Sequence, residues 1–180
     1  GKVAWAEFRG TAGGFVELEF EVWFKTVSRS ATAFPTIVPS VASNAAPYVM
    51  SGDTTTTLVS SARTVYDFAL RIDNGLARRY AGGATTASSL DENDRIVTYR
   101  ATVPWTSTEQ DLEAQAIGGT TGTLVLTNGG MSTTFTFGVL QVPDNSPVIV
   151  GRSEVTLTLE MVARMTGTTK EISVVSDSVA

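Results

Sequence analysis

Strict alternation of apolar and polar side chains is the feature that most constrains this chain. Phe15 to Phe24 reads FVELEFEVWF, with Phe15, Glu17, Glu19, Glu21 and Trp23 on one face and Val16, Leu18, Phe20, Val22 and Phe24 on the other. A period of two is that of a β-strand, whose successive side chains point to opposite sides of the sheet. The pattern returns at Tyr66 to Asp73 (YDFALRID) and at Glu154 to Ala163 (EVTLTLEMVA), where Val155, Leu157, Leu159, Met161 and Ala163 share the apolar face. Strands of this kind must bury their apolar faces against another layer. FVELEFEVWF is therefore expected to close a sandwich with one face and to display three successive carboxylates on the other. Like charges so close repel one another, and exposed strands commonly use lysine to guard an edge. That row requires a physical reason.

Composition narrows the chemistry. The 180 residues suit one domain, and 42% hydrophobic content is enough for a core. The chain has no cysteine and no histidine, which removes disulfides, thiolate metal sites, Ser–His–Asp and Cys–His nucleophiles, and nearly all zinc sites. A net charge of −5 argues against a groove that grips nucleic acid through clustered lysine and arginine. No apolar run of about 18 residues is present, so no membrane-spanning helix is expected. The start shows no charged region followed by an apolar core, so no signal peptide is expected either. The first residue is Gly1 rather than Met, which raises the expectation of a processed or trimmed product.

Several sites can be weighed and set aside. Paired carboxylates serve glycosidases when two acids flank a cleft, but Glu17, Glu19 and Glu21 form a row, and Asp91, Glu92 and Asp94 cluster in one turn-like segment. The latter reads as a solvated loop or an incidental cation site, since it lacks a calcium-loop pattern. Gly82-Gly83, Gly118-Gly119 and Gly129-Gly130 fit turns, not a phosphate-binding loop. Trp5, Trp23 and Trp105 fit core or rim packing better than a sugar-stacking platform. No enzyme, metal or cofactor is expected.

The remaining elements follow from local signals. Strands are expected at Lys2 to Arg9, Ile96 to Val103, Thr123 to Thr127, Met131 to Phe137, continuing to Val142, and Lys170 to Asp177. Asp73-Asn74-Gly75 predicts a hairpin turn with Leu76 to Tyr80 as the returning arm. One helix is expected at Thr106 to Ile117, opened by a capping box from Thr106 to Glu109 and ended by Gly118-Gly119. Thr26 to Thr57 lacks periodicity and holds Pro35, Pro39 and Pro47. Its Phe34, Ile37, Val38, Val41, Tyr48, Val49 and Met50 are too apolar for a disordered linker, so this long loop is expected to pack on something. The fold class is mostly β: an antiparallel β-sandwich or open barrel with one flanking α-helix and a long loop or arm.

From about Asp67 onward the chain resembles a known family. DFALRIDNGLARRYAGG, then DENDRIVTYRATVPWT, a short helix, and finally GRSEVTLTLEMVARM and KEISVVSDS are similar to the tail tube (major tail) proteins of long-tailed bacteriophages. The resemblance covers about Asp67 to Ser178 and carries no catalytic motif. It implies a virion structural protein, made in the host cytoplasm, that forms hexameric rings stacked into a hollow tube for genome delivery. It further implies partners: itself, the tape measure, tail terminator and tail-tip proteins, and DNA in non-specific transit. It implies too that the family's chains often begin further upstream.

On that resemblance residues 1–180 form a single tail-tube-like domain. Residues 26–57 are its inter-subunit loop or arm, with Phe34, Pro35, Ile37, Val38, Tyr48, Val49 and Met50 as the candidate contacts. Glu17, Glu19 and Glu21 are the candidate lumen-facing acids, against the plainer reading of a solvent-facing strand. Two alternatives stay open: the tube of a contractile injection or type VI-like secretion system, and, from another class, a carbohydrate-binding or adhesin β-sandwich.

Overall fold

A computed structural model describes residues 1–26, 48–50, 54–58, 61–105, 119–128, 131–141 and 155–178. Within them run β1 (Lys2–Thr11), β2 (Glu17–Trp23), β3 (Thr54–Leu58), β4 (Ser61–Arg63), β5 (Asp67–Asp73), β6 (Ala77–Arg79), β7 (Ser89–Asp91), β8 (Ile96–Pro104), β9 (Thr120–Asn128), β10 (Met131–Gln141), β11 (Thr156–Arg164) and β12 (Ile172–Ser178). The large sheet has the order β2-β1-β5-β8-β11-β10-β9-β3-β4, with β12 also on β10; β6 and β7 form a separate pair. All pairings among the described residues are antiparallel. The mostly-β, antiparallel class is the one that the alternating pattern implies.

The sheet folds back on itself. Phe8 of β1 meets Phe135 of β10 edge-on at 5.0 Å, and Tyr99 of β8 stacks on Phe137 of β10 at 5.2 Å. Thr56 of β3 reaches across to Tyr99, hydroxyl to hydroxyl, at 3.0 Å. One layer is thus β2-β1-β5-β8-β11 and the other β12-β10-β9-β3. Alternate residues of each supply the core: Phe68 and Leu70, Val97 to Val103, Leu157 to Ala163, Leu124 and Leu126, Phe135 and Phe137. Burial of these side chains is the main driving force for the fold.

The layers exchange partners at Gly138. Met131 to Phe137 lie between β9 and β12, whereas Val139 to Gln141 lie beside β11. At the crossover the Gly138 amide donates to the Glu171 carbonyl at 3.1 Å. A Cβ on Gly138 would stand 2.6 Å from the Lys170 carbonyl oxygen and 2.9 Å from that of Arg164, so no larger residue fits without moving backbone.

Three expectations change. Thr54 to Thr57, read as the end of a loop, belong with Leu58 to β3 and pair with β9. A run of four threonines hides its alternation from any hydrophobic count, but threonine is β-branched and suits a strand. Residues 74–75 do turn, with Gly75 at φ +54 and its amide on the Asp73 carboxylate at 3.0 Å. No β5–β6 hairpin follows, because both edges of β5 are taken by β1 and β8, so β6 pairs with β7 instead. The apolar face of β2 does not close the sandwich. Leu18 and Phe20 are 52% and 59% exposed, because β2 is the edge strand of the large sheet. The helix expected at Thr106 to Ile117 falls outside the described residues.

Candidate functional site

The strand registers place the outward side chains of the first layer in rows. Glu21 stands beside Trp5 and Asp73; Glu19 beside Glu7, Arg71 and Thr98; Glu17 beside Arg9, Ala69, Arg100 and Glu160. Asp67 shares the same side through Thr102. Carboxylates from Glu7, Glu17, Glu19, Glu21, Asp67, Asp73 and Glu160 therefore share one surface with Arg9, Arg71, Arg100 and Arg164, and Arg78 reaches the same surface over Trp23. The fold does bring the three predicted acids together on one side of the sheet.

Glu19 and Glu21 of the row have compensating partners, as have the neighbouring Glu7 and Asp73. Arg9 binds Glu7 at 2.6 Å and reaches Glu19 at 3.5 Å; Arg71 bridges Glu7 and Asp73, each at 3.3 Å. The Arg9 hydrogen bond holds the Glu7 carboxyl below its ordinary value, and Glu7 in turn raises Arg9. Glu21 accepts both indole N–H groups, from Trp5 at 2.8 Å and Trp23 at 2.6 Å. Arg71 lies over the Trp5 ring at 4.6 Å and Arg78 over the Trp23 ring at 4.7 Å, both within cation–π range. One ring face of each is thus occupied by a guanidinium, and Trp105 packs partly buried on the core. The arginines escaped sequence reading, although Glu7 and Arg9, like Arg71 and Asp73, are spaced by two and so share a face.

The outer face of the second layer is different in kind. Ser173, Thr136, Thr123, Thr57 and Ala62 form one row, and Val175, Thr134, Val125 and Thr55 the next. A third row brings Asp177, Ser132 and Thr127 together, and Asp177 is the single charge in the three. This is a lattice of hydroxyl and methyl groups.

Other predicted residues are distributed elsewhere. Met50 is buried in the core at 6% exposure, Tyr48 shares a hydrogen bond with Thr133 at 3.1 Å, and Val49 bridges to Phe15. Phe34, Pro35, Ile37 and Val38 lie outside the described residues. The charged segment at 91–95 is dispersed: Asp91 pairs with Arg79, Glu92 with Lys2 at 2.9 Å, and Arg95 with Glu171. Lys2 holds Glu92 below its ordinary value. No group of three potential metal ligands occurs among the described residues. No helix among them is long and apolar enough to cross a membrane.

A family model described as phage tail tube protein matches residues 1–163. The chain belongs to the phage tail tube protein family. A search among curated proteins finds no match. Membership gives the tube protein a structural role in the virion tail and points to self-assembly as its activity. A family built for assembly places its function in surfaces rather than a catalytic pocket, which directs attention to the two outer faces and to the free sheet edges.

Proposed function

We propose that this chain polymerises as stacked hexameric rings into a phage tail tube, the conduit for genome delivery, and that it performs no catalysis. The observation that carries the reading is the one-sided acidic surface of the first layer, on a chain of net charge −5. Glu17, Glu19 and Glu21 line the lumen in this reading. Repeated around a ring, the row repels phosphates and keeps DNA from adhering while it passes. The stretch 26–57, with Phe34, Pro35, Ile37 and Val38, serves as an inter-subunit arm. Tyr48 and Met50 anchor its end to the chain's own core, which supports an arm that leaves from a fixed point.

The tape measure, terminator and tail-tip proteins are the further partners in this reading. The protein is made in the host cytoplasm and resides in the virion tail. Negative-stain microscopy of concentrated protein, with light scattering alongside, tests the proposal. Rings or tubes with six-fold end views are expected. A strict monomer at all concentrations sinks it.

A further inference from the structure

We infer that the β6–β7 pair is a hinged strap, latched against the acidic face by Arg78 and Glu92, which lifts from that face without unfolding the sandwich. Its role rests on the tube reading, in which this face lines the lumen. Among the described residues β6 and β7 pair only with each other and join neither layer of the large sheet. The base of the strap is pinned. The Asn74 amide donates to the Ala4 carbonyl at 2.9 Å, and its side chain donates to that of Val3 at 3.0 Å. The Asn93 side chain donates to the Gly75 carbonyl at 2.9 Å and ties the two ends of the strap together. Rotation at a few residues of such a base is enough to swing the rest.

Beyond the base three contacts hold the strap down. Arg78 of β6 lies over the Trp23 ring at 4.7 Å. Glu92, just past β7, pairs with Lys2 at 2.9 Å, and both side chains are exposed. Leu90, opposite Arg78 in register, and Ala87 are buried, but apart from the main core. Exposed cation–π contacts and exposed ion pairs are individually weak. A unit held by so few contacts opens locally before the whole fold does.

The strap lies at a defined place. Lys2 and Trp23 are register partners and share the side of Glu21, so both latches sit at one end of the glutamate row. Arg79 is paired within the strap to Asp91, whereas Arg78 has no carboxylate partner among the described residues. Closed, the strap keeps the Arg78 guanidinium against an indole. Open, it carries Arg78 and the exposed Tyr80 off the wall and into the path of a polyanion, where a free arginine meets phosphate. The glutamates repel the passing chain, and the latch withholds a cation that would hold it back.

Hydrogen exchange followed by NMR on dilute protein tests the strap itself. Its ladder amides, at residues 77–79 and 89–91, are expected to exchange at least about a hundredfold faster than those of Val97, Tyr99 and Ala101 in β8. Equal rates overturn the inference, because the strap then opens only with the whole fold. Trp23→Leu with Glu92→Gln removes both latches and keeps Arg78; strap exchange is expected to rise about tenfold further, with β8 unchanged. Unchanged strap exchange in that variant overturns the latch. Asp94→Asn makes the same change of charge at a carboxylate outside the latch and is expected to alter neither strand pair. In particles the latch variant is expected to slow genome ejection and Asp94→Asn is not. Normal ejection with a loosened strap overturns the luminal role. Failure of the unaltered protein to form tubes counts against the tube reading instead, since the exchange rates do not depend on assembly.

Discussion

The two outer faces of the sandwich are made from the same kind of alternating strand and are chemically unlike. On the first layer, carboxylates of β1, β2, β5 and β11 outnumber the arginines woven among them, and the pairs Arg9–Glu7 and Arg71–Asp73 hold the lattice together. On the second, Thr57, Thr123 and Thr136 run side by side across three strands with one acid, Asp177, at the margin. Both faces are wettable, but only the first projects a field, over a Debye length of about 8–10 Å near physiological salt. Hydroxyl groups keep a surface soluble without an opinion about passing charge. The orientation of the subunit in a tube thus decides what a polyanion meets.

The comparison depends on the two layers keeping their separate strands, and Gly138 is where they divide. Gly138→Val forces the Lys170 and Arg164 carbonyls apart and loosens β12 from β10. The expected cost is about 2–3 kcal/mol, a fall in Tm of roughly 5–10 °C for a chain of this size. Thermal unfolding followed by circular dichroism measures it. An unchanged Tm would mean that β11 and β12 do not share the β10 edge as described.

Adjacent threonines separate the buried side of the second layer from its outer face. Thr56 is 1% exposed and its hydroxyl meets that of Tyr99, whose ionisation burial pushes far up, so the pair stays neutral. Thr56→Val leaves the Tyr99 hydroxyl buried without that partner, at about 1–2 kcal/mol. Thr57→Val, one residue along and on the outer lattice, is expected to change stability by less than about 0.5 kcal/mol. Urea midpoints compare the two directly. Equal effects would place both hydroxyls in equivalent surroundings and contradict the register.

Acid titration distinguishes the layers next, because the paired carboxylates belong to the charged face and to the start of β12. Burial alone would raise Glu171, but its backbone hydrogen bond and the Arg95 guanidinium hold it below the ordinary 4.5; Glu7 is lowered first by Arg9. A lowered folded value stabilises the protein above the unfolded value and loses that contribution as pH falls through the folded one. Stability is therefore expected to decline below about pH 4.5. Glu171→Gln should cost about 1 kcal/mol at pH 7 and progressively less in acid. Denaturation midpoints at pH 7 and at about pH 3 check this; a constant difference between wild type and variant refutes the assignment.

Much of this was legible in the sequence and some was not, for physical reasons. Phe68, Leu70, Leu157, Leu159 and Met161 alternate cleanly, and each points into the core as the period requires. The alternation of FVELEFEVWF gave the strand and the shared side of its glutamates. It could not give the position of that strand in the sheet, so the exposure of Leu18 and Phe20 was out of reach. Strand order rests on contacts between residues far apart, such as Thr56 with Tyr99, and no local pattern encodes them. Arg71 compensates Glu7 from another strand, sixty-four positions away. Spacing within one strand cannot reveal such a partner.

The smallest expected change in stability is also the one that bears most on function. Glu17 and Glu19 lie on an exposed edge; Glu19 has one long ion pair, to an arginine that is itself 54% exposed. Exposed pairs of this sort contribute well under about 1 kcal/mol. Glu17→Lys, Glu19→Lys and Glu21→Lys together should leave the fold intact, with a modest extra loss from the indole bonds to Glu21. In particles, the same three changes reverse the sign of the row and are expected to slow genome ejection. The matched control is Thr123→Lys, Thr134→Lys and Thr136→Lys on the hydroxyl lattice, expected to leave ejection unchanged. Normal ejection from the first set with slowed ejection from the second would turn the subunit around, because the lumen would then be lined by threonine. Slowing by both would mean that the passing chain senses total charge, and the difference between the faces would then not set the transit.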